Sequence, residues 1–269
     1  MTSAAMPSYG VLEQSRADGT IESVAEEVTS LGYSAIDAGY SPQEIVELKR
    51  IFDDTHQKYV DAYGEGLLKE IDEHNGIRLP LALHPRFLDV AANDRVLRLV
   101  EMLIRNKFVL NQQNGVINPA NGAKYNQGAW HRDLPYQHFV SSRPLAINAL
   151  YCVDDFTAQN GATFVLPASH LHEACPSVDF IEKHAVQISA PAGSFIVLDC
   201  MLYHRGGENR TSSARRGVNH VYTSAFIRQQ IDIPAVLGSD LRRPELSDLL
   251  GYRYRLPRSV PEFLTTRRR

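Results

Sequence analysis

The stretch Trp130-His-Arg-Asp-Leu-Pro-Tyr-Gln137 places an imidazole, His131, two residues before a carboxylate, Asp133. On a strand that spacing turns both side chains to one face and Arg132 to the other. An imidazole and a carboxylate on a rigid strand make two legs of a facial metal triad. The third leg is expected from a histidine distant in sequence and brought near by sheet pairing. His204 is the candidate, because it follows the apolar run Phe195-Ile-Val-Leu198 and precedes the turn Arg205-Gly-Gly207. Two histidines and a carboxylate leave three adjacent metal positions open. That arrangement suits non-haem Fe(II) oxygenases, in which a cosubstrate and dioxygen must bind together. The His-x-Asp spacing alone also fits an ordinary surface or hydrogen-bonding pair, since short motifs recur by chance. Arg215 tips the balance: it opens the next strand candidate after His204, where a guanidinium can pair in bidentate fashion with the far carboxylate of a dicarboxylate cosubstrate.

The elements that must position these residues read as helices first and strands afterwards. Glu22–Leu31 reads as a short helix ended by Gly32, and Tyr33–Ile36 as a short strand. Ser41-Pro-Gln-Glu44 combines a capping serine, a proline suited to the first helical position and a capping-box glutamate, so a helix is expected to about Gly64. A second helical block is expected over His84–Ile104, with a broad apolar face from Val96 to Ile104. Strands are expected at Phe108–Ile117, Ala129–Asp133, Leu145–Val153, Thr163–Leu166, Val186–Ser189, Ser194–Leu198 and Val218–Ile227, several of them separated by Gly, Asn or Pro turns. Many short strands in succession point to a sandwich or barrel. The expectation is one domain over 1–269: a leader (1–20), a mainly helical part (21–106), a β core (107–228) and a C-terminal extension (229–269). Leu246–Leu250 is a possible helical piece, and the terminal arginines 267–269 read as a solvated tail.

Composition excludes several function classes. The 269 residues are 43% hydrophobic and 22% charged, in the globular range. A net charge of −3 offers no basic field for nucleic acid. Three scattered cysteines (Cys152, Cys175, Cys200) are too few for a disulfide framework or a cysteine-rich zinc site, and read as free thiols in a reducing cytoplasm. Nothing approaches the roughly 20 apolar residues of a membrane span, and the N-terminus lacks the charged and apolar regions of a signal peptide. The expected partner is a small molecule; the oligomeric state stays open.

The motifs together resemble the phytanoyl-CoA dioxygenase family of Fe(II)- and 2-oxoglutarate-dependent oxygenases. The resemblance runs from about Gly32 to about Phe226 and rests on three pieces. They are His131-Arg-Asp133, the signature Asn160-Gly161…Pro167-Ala-Ser-His170, and His204-Arg-Gly-Gly-Glu-Asn209 with Arg215. The family signature has Gly between the Pro and the Ser, where Ala168 stands here. The resemblance implies a double-stranded β-helix, or jelly roll, mainly β, with the N-terminal helices packed on one sheet. It implies that His131, Asp133 and His204 bind iron and act in catalysis, that Arg215 takes the C5 carboxylate of 2-oxoglutarate, and that dioxygen is the oxidant. Thr163 and Gln127 match positions that touch the cosubstrate in some relatives. Asn114 is expected with them as a cofactor-binding residue, and Gln112, which shares its strand face, is a further candidate to reach the pocket; cross-strand hydrogen bonding explains both equally well.

In related halogenases a small residue stands where this chain has Asp133. A carboxylate there favours hydroxylation, or desaturation or ring closure, of an unactivated C–H bond. The breadth of the family favours tailoring of a secondary metabolite, as in antibiotic biosynthesis, over hydroxylation of a fatty acyl-CoA or other anionic substrate. A cupin-type metal enzyme that does not use 2-oxoglutarate is the alternative, and it would have no need of Arg215. Several other residues carry weaker signals. His170 is expected to be structural near the pocket rim, and His220 falls out of register with Arg215. Arg132, Arg143, Arg205, Arg210 and Arg216 either receive an anion or merely reflect abundant arginine. Trp130, Tyr136 and Phe139 form either a stacking wall or core.

Overall fold

The computed structural model describes residues 9–15, 17–123, 126–134, 140–239 and 243–267. The N-terminal part comprises α1 (Thr20–Leu31), β1 (Tyr33–Asp37), α2 (Pro42–Tyr63), α3 (Glu65–Glu70), β2 (Gly76–Arg78), α4 (Arg86–Ala91) and α5 (Asp94–Ile104). Then follow β3 (Phe108–Asn118), β4 (Ala146–Cys152), β5 (Phe164–Val165), α6 (Val178–His184) and β6 (Val186–Gln187). The chain continues through β7 (Ser194–Asp199), β8 (His204–Arg205), β9 (Arg215–Ser224), α7 (Ile233–Leu237) and α8 (Val260–Thr265). Six strands form one antiparallel sheet in the order β1-β7-β4-β9-β3-β2, and three form a second in the order β6-β5-β8.

The two faces of the large sheet bury different things. On one face, Ile147, Ala149 and Tyr151 of β4, Phe195 and Val197 of β7 and Val218 and Tyr222 of β9 join the apolar faces of α1, α2, α4 and α5 in one core. On the other, Cys152, Ile196 and Leu198 pack with Ala162, Val165, Ile188 and Leu202 from the small sheet and its loops. This is the jelly-roll arrangement: two sheets face each other, and helices cover the outside of the larger one.

Local sequence explains the helix starts. Ser41 accepts from the Glu44 backbone N–H and the Glu44 carboxylate accepts from the Ser41 backbone N–H, so the expected capping box forms. The block expected over 84–104 divides in two, because Asn93 caps a new helix by accepting from the N–H groups of Arg95 and Val96. The strand expected over Ala129–Asp133 is reduced to a single bridge opposite His204. After one reciprocal pair of hydrogen bonds the chain turns, and Asp133 N–H goes to the Cys200 carbonyl instead of extending the ladder. Short strand β2 and helices α3, α6, α7 and α8 have no counterpart among the expected elements. The helical piece expected at 246–250 is a 3-10 turn at Pro244–Leu246 followed by further turns. Among the described residues no helix is long and apolar enough to cross a membrane. Residues 1–8 of the expected leader and 268–269 of the expected tail lie outside the described residues.

Candidate metal centre

His131, Asp133 and His204 converge. Their nearest ligand atoms all lie within 4.8 Å of one another. The Asp133 Oδ1 is 3.6 Å from His204 Nε2 and 4.0 Å from His131 Nε2. These separations are too long for hydrogen bonds and short enough for one cation to lie among the three atoms. Backbone pairing makes the convergence: His131 N–H donates to the His204 carbonyl at 3.0 Å, and His204 N–H returns the bond at 3.1 Å. On its other side His204 pairs with Val165 of β5, so the second histidine is held from both flanks.

Each imidazole is fixed through its far nitrogen. His131 Nδ1 donates to the Ala129 carbonyl at 2.8 Å and His204 Nδ1 to the Leu202 carbonyl at 3.0 Å. A carbonyl can only accept, so Nδ1 carries the proton and each Nε2 keeps its lone pair toward Asp133. Burial, and then the neighbouring His204, push the His131 pKa down, which favours the neutral ring that a metal requires. The Asp133 carboxylate is oriented by Asn148 of β4, whose Nδ2 donates to Oδ2 at 2.6 Å and leaves Oδ1 to the histidines. The His131 side chain is 29% exposed while those of Asp133 and His204 are 8% exposed, so access to the triad is on the His131 side.

Arg215 is buried at the start of β9, and it lines a cavity of about 50 Å³ together with the triad, Thr163, Gln127, Asn148 and Asn219. Its guanidinium lies 3.9 Å from the centre of the Phe156 ring, and Nη2 donates to the Gly161 carbonyl at 3.1 Å. The Asn160-Gly161 signature therefore has a mechanical role. Gly161 sits at φ +77°, and a Cβ there would lie 2.4 Å from Asn118 Nδ2 and 2.5 Å from the Gly207 carbonyl oxygen. Only glycine permits this approach, which brings the Arg215-binding carbonyl against the turn after His204. Asn118 Nδ2 donates to the Gly207 carbonyl at 2.9 Å, and Asn209 Nδ2 donates to the Asn118 carbonyl at 3.1 Å. The other half of the signature works on the opposite flank, where Ser169 Oγ accepts from the N–H of Tyr203, the residue before His204.

A second cavity, of about 250 Å³, lies outside the first. Both share His131, Asp133, Gln127, Val116 and Asn219, so they meet at the triad. Asn114 and Gln112 line the outer one. Asn114 pairs with Asn219, whereas Arg215 pairs with Asn118. Four residues of strand, about 13 Å, therefore separate Asn114 from the arginine position.

Other residues singled out in the sequence fall elsewhere. His220 is fully buried on the helix-facing side of β9, beside Phe195 and Tyr222. His170 donates through Nε2 to the Thr29 carbonyl of α1. Arg132 spends its guanidinium on the carbonyls of Ser169, His172 and Glu173 and lies over the Tyr203 ring. Arg216 pairs with Asp53 and Asp154. Arg205 lies over Trp130 and Phe164. Tyr136 and Phe139 lie outside the described residues. Sequence reasoning missed Asn148, Asn118 and Phe156. The single polar residue of the run Ala146-Ile-Asn-Ala-Leu-Tyr-Cys152 was the available signal for Asn148.

The donor set fits a divalent iron ion. It consists of two neutral imidazole nitrogens and one carboxylate oxygen on a single side, with a cavity on the other and a buried arginine at its end. A model of the phytanoyl-CoA dioxygenase family matches residues 29–217. An uncharacterised protein of Mycobacterium tuberculosis is 26% identical over 251 residues, covering 91% of each chain. Among solved structures, EctD from S. alaskensis with 2-oxoglutarate and 5-hydroxyectoine aligns with a TM-score of 0.64 at 20% identity, over 82% of this chain and 80% of that one. The non-haem alpha-ketoglutarate-dependent epimerase SnoN from nogalamycin biosynthesis aligns with a TM-score of 0.59 at 19% identity, over 82% of this chain and 93% of that one.

Proposed function

The chain belongs to the phytanoyl-CoA dioxygenase family, and from that premise we propose that it oxidises an unactivated C–H bond of a small molecule, by hydroxylation or oxidative ring closure, in the tailoring of a secondary metabolite. It is an Fe(II)- and 2-oxoglutarate-dependent dioxygenase, an oxidoreductase. When bound, iron with 2-oxoglutarate and dioxygen would supply the oxidation: one oxygen atom goes to the keto acid, which leaves as succinate and carbon dioxide, and the other goes to the substrate carbon in hydroxylation or leaves as water with the two hydrogens removed in ring closure.

The residues of the chain divide the remaining work. His131, Asp133 and His204 hold the metal. Asn148 keeps the carboxylate turned so that Oδ1 faces the histidines. Arg215 anchors the C5 carboxylate, and Thr163 and Gln127 flank the same cavity. Burial of the guanidinium over Phe156 keeps water from screening that ion pair. The observation that carries this reading is Arg215 on the wall of the same cavity as the triad. A metal enzyme that does not use a dicarboxylate has no need of a buried arginine there. The likeness to SnoN supports a tailoring role. Cys152, Cys175 and Cys200 are free thiols, which fits a reducing cytoplasmic setting.

The test is Arg215→Leu. A charge-assisted pair contributes about 1.5–3 kcal/mol, so 2-oxoglutarate affinity is expected to fall about 10- to 100-fold while iron binding persists. Unchanged 2-oxoglutarate affinity would remove the anchor from the reading.

A further inference from the structure

Three carboxamides form a patch on the cavity side of β3 and β9: Gln112 and Asn114 on one strand, and Asn219 directly across from Asn114. Their hydrogen bonding is incomplete. Asn114 is 8% exposed, and its Nδ2 makes only a long contact of 3.3 Å to Gln112 Oε1. The side-chain carbonyl oxygens of Asn114 and Asn219 are covered and accept nothing among the described residues. Gln113, between Gln112 and Asn114 but on the helix-facing side, shows what a structural amide looks like. Its Oε1 accepts from Leu81 N–H and its Nε2 donates to the Phe87 carbonyl, both at 2.8 Å. A buried acceptor left unmatched costs about 1–3 kcal/mol. Two such acceptors side by side in one cavity wall mark groups that a ligand completes.

The rest of the wall narrows the ligand class. Arg78 is held by Glu73 through two contacts, and Arg132 is turned to main-chain carbonyls, so both described arginines of the wall are already committed. An anion would have to break one of these arrangements. Val116 is the only aliphatic side chain among the described lining residues, which leaves an acyl chain nothing to pack on. The cavity, at about 250 Å³, is just below the ~300–1,000 Å³ of pockets for drug-sized ligands. It has room for about one ring. Hydroxyl groups both donate and accept, as carboxamides do.

We propose that this carboxamide patch is the primary-substrate subsite, and that the substrate is a neutral, multiply hydroxylated ring such as a cyclitol or sugar, alone or as one end of a larger molecule. Its hydroxyls pair with the carboxamides once Asn114 and Asn219 turn their covered oxygens toward the cavity, which sets the ring against the open side of the triad. The inference rests on the oxygenase reading above and names the substrate class of that same site.

The experiment has two arms. The first measures 2-oxoglutarate binding to the zinc-loaded full chain by calorimetry. The second measures substrate-stimulated succinate release by the iron-loaded chain with myo-inositol, methyl glucoside and sorbitol, set against palmitoyl-CoA and lysine. The proposal expects 2-oxoglutarate to bind and at least one polyol to stimulate release. It further expects Asn114→Leu and Asn219→Leu each to raise KM for that polyol about tenfold. Absence of 2-oxoglutarate binding overturns the oxygenase reading itself. Binding with stimulation only by palmitoyl-CoA or lysine, or by nothing in the panel, overturns the substrate class alone. If a leucine variant fails to fold, the wild-type panel still decides.

Discussion

His204 and His220 look alike by local criteria. Both are buried, and each donates through Nδ1 to a main-chain carbonyl at 3.0 Å, Leu202 for one and Ala149 for the other. The difference is what surrounds Nε2. His204 faces a carboxylate oxygen at 3.6 Å and a second imidazole whose ring centre is 4.3 Å away. His220 faces the rings of Phe195 and Tyr222, and its Nε2 has no hydrogen-bond partner among the described residues. The first lies between the two sheets, where polar groups from several elements converge. The second lies in the core between the large sheet and the helices. Burial and a fixed tautomer are therefore shared by a candidate ligand and a core residue, and only a second ligating group opposite Nε2 separates them.

The strongest break of this comparison is an exchange of defects. Asp133→Ala should reduce substrate-dependent succinate release to background and lower bound iron, with little change in melting temperature. His220→Ala should do the reverse. It is expected to lose about 2–5 kcal/mol of stability through a cavity in the core, while turnover per folded molecule persists. Full turnover in Asp133→Ala would remove the triad from the chemistry, and an inactive but stable His220→Ala would move the centre.

The next test is one of pH. Burial depresses the His220 pKa to about 4. The unfolded chain, with a histidine pKa of about 6.5, then binds a proton that the folded chain refuses between those two values. Stability is complete above about pH 6.5, falls as the pH drops through this window, and levels near pH 4. The loss amounts to about 3 kcal/mol at 1.36 kcal/mol per unit. Denaturant titrations of wild type and His220→Phe across pH 4–7 should differ by this slope, and equal slopes would contradict the buried neutral ring.

These contrasts show how far the sequence alone reaches. Residue type and spacing singled out His131, Asp133, His204 and Arg215, and the structure brings the first three together although only His131 of the first pair makes a strand bridge. Strand parity also placed His220 opposite Arg215 and put Gln112 and Asn114 together. The register shift between Leu110 and Gln112 precedes both residues and left that parity intact. Asn148 and Asn118 were not legible. Each acts on a group distant in the chain: Asn148 on Asp133, and Asn118 on the loops at Gly161 and Gly207. A lone asparagine in an apolar strand announces that it has a partner without naming it. The strand expected at 129–133 failed for a related reason, since the pull of Cys200 on Asp133 N–H is tertiary.

Asn148→Leu probes that tertiary link. Removing a residue that orients a ligand typically costs 10- to 100-fold in metal affinity. Iron titrations should show a loss of about that size, with the triad itself still present. Affinity equal to wild type would mean that Asp133 is held by its backbone alone.

The smallest expected effect lies at Ala168, where the chain departs from the family signature. The residue has φ 60° and ψ 5°, a left-handed conformation that costs a residue with a Cβ about 1–2 kcal/mol. Its N–H is fixed at 2.7 Å on the Leu31 carbonyl, and the next residue, Ser169, holds Tyr203 beside His204. The conformation is thus imposed by its surroundings and is not open to relaxation. Glycine removes the steric cost but gains freedom in the unfolded chain worth about 0.4–1 kcal/mol, so Ala168→Gly should stabilise by about 1.6 kcal/mol at most. For a chain of this size that is a rise of about 2–4 °C in Tm per kcal/mol, with kcat unchanged because Ala168 touches neither cavity. A lower Tm would mean that the methyl group makes a packing contact worth more than the strain it causes.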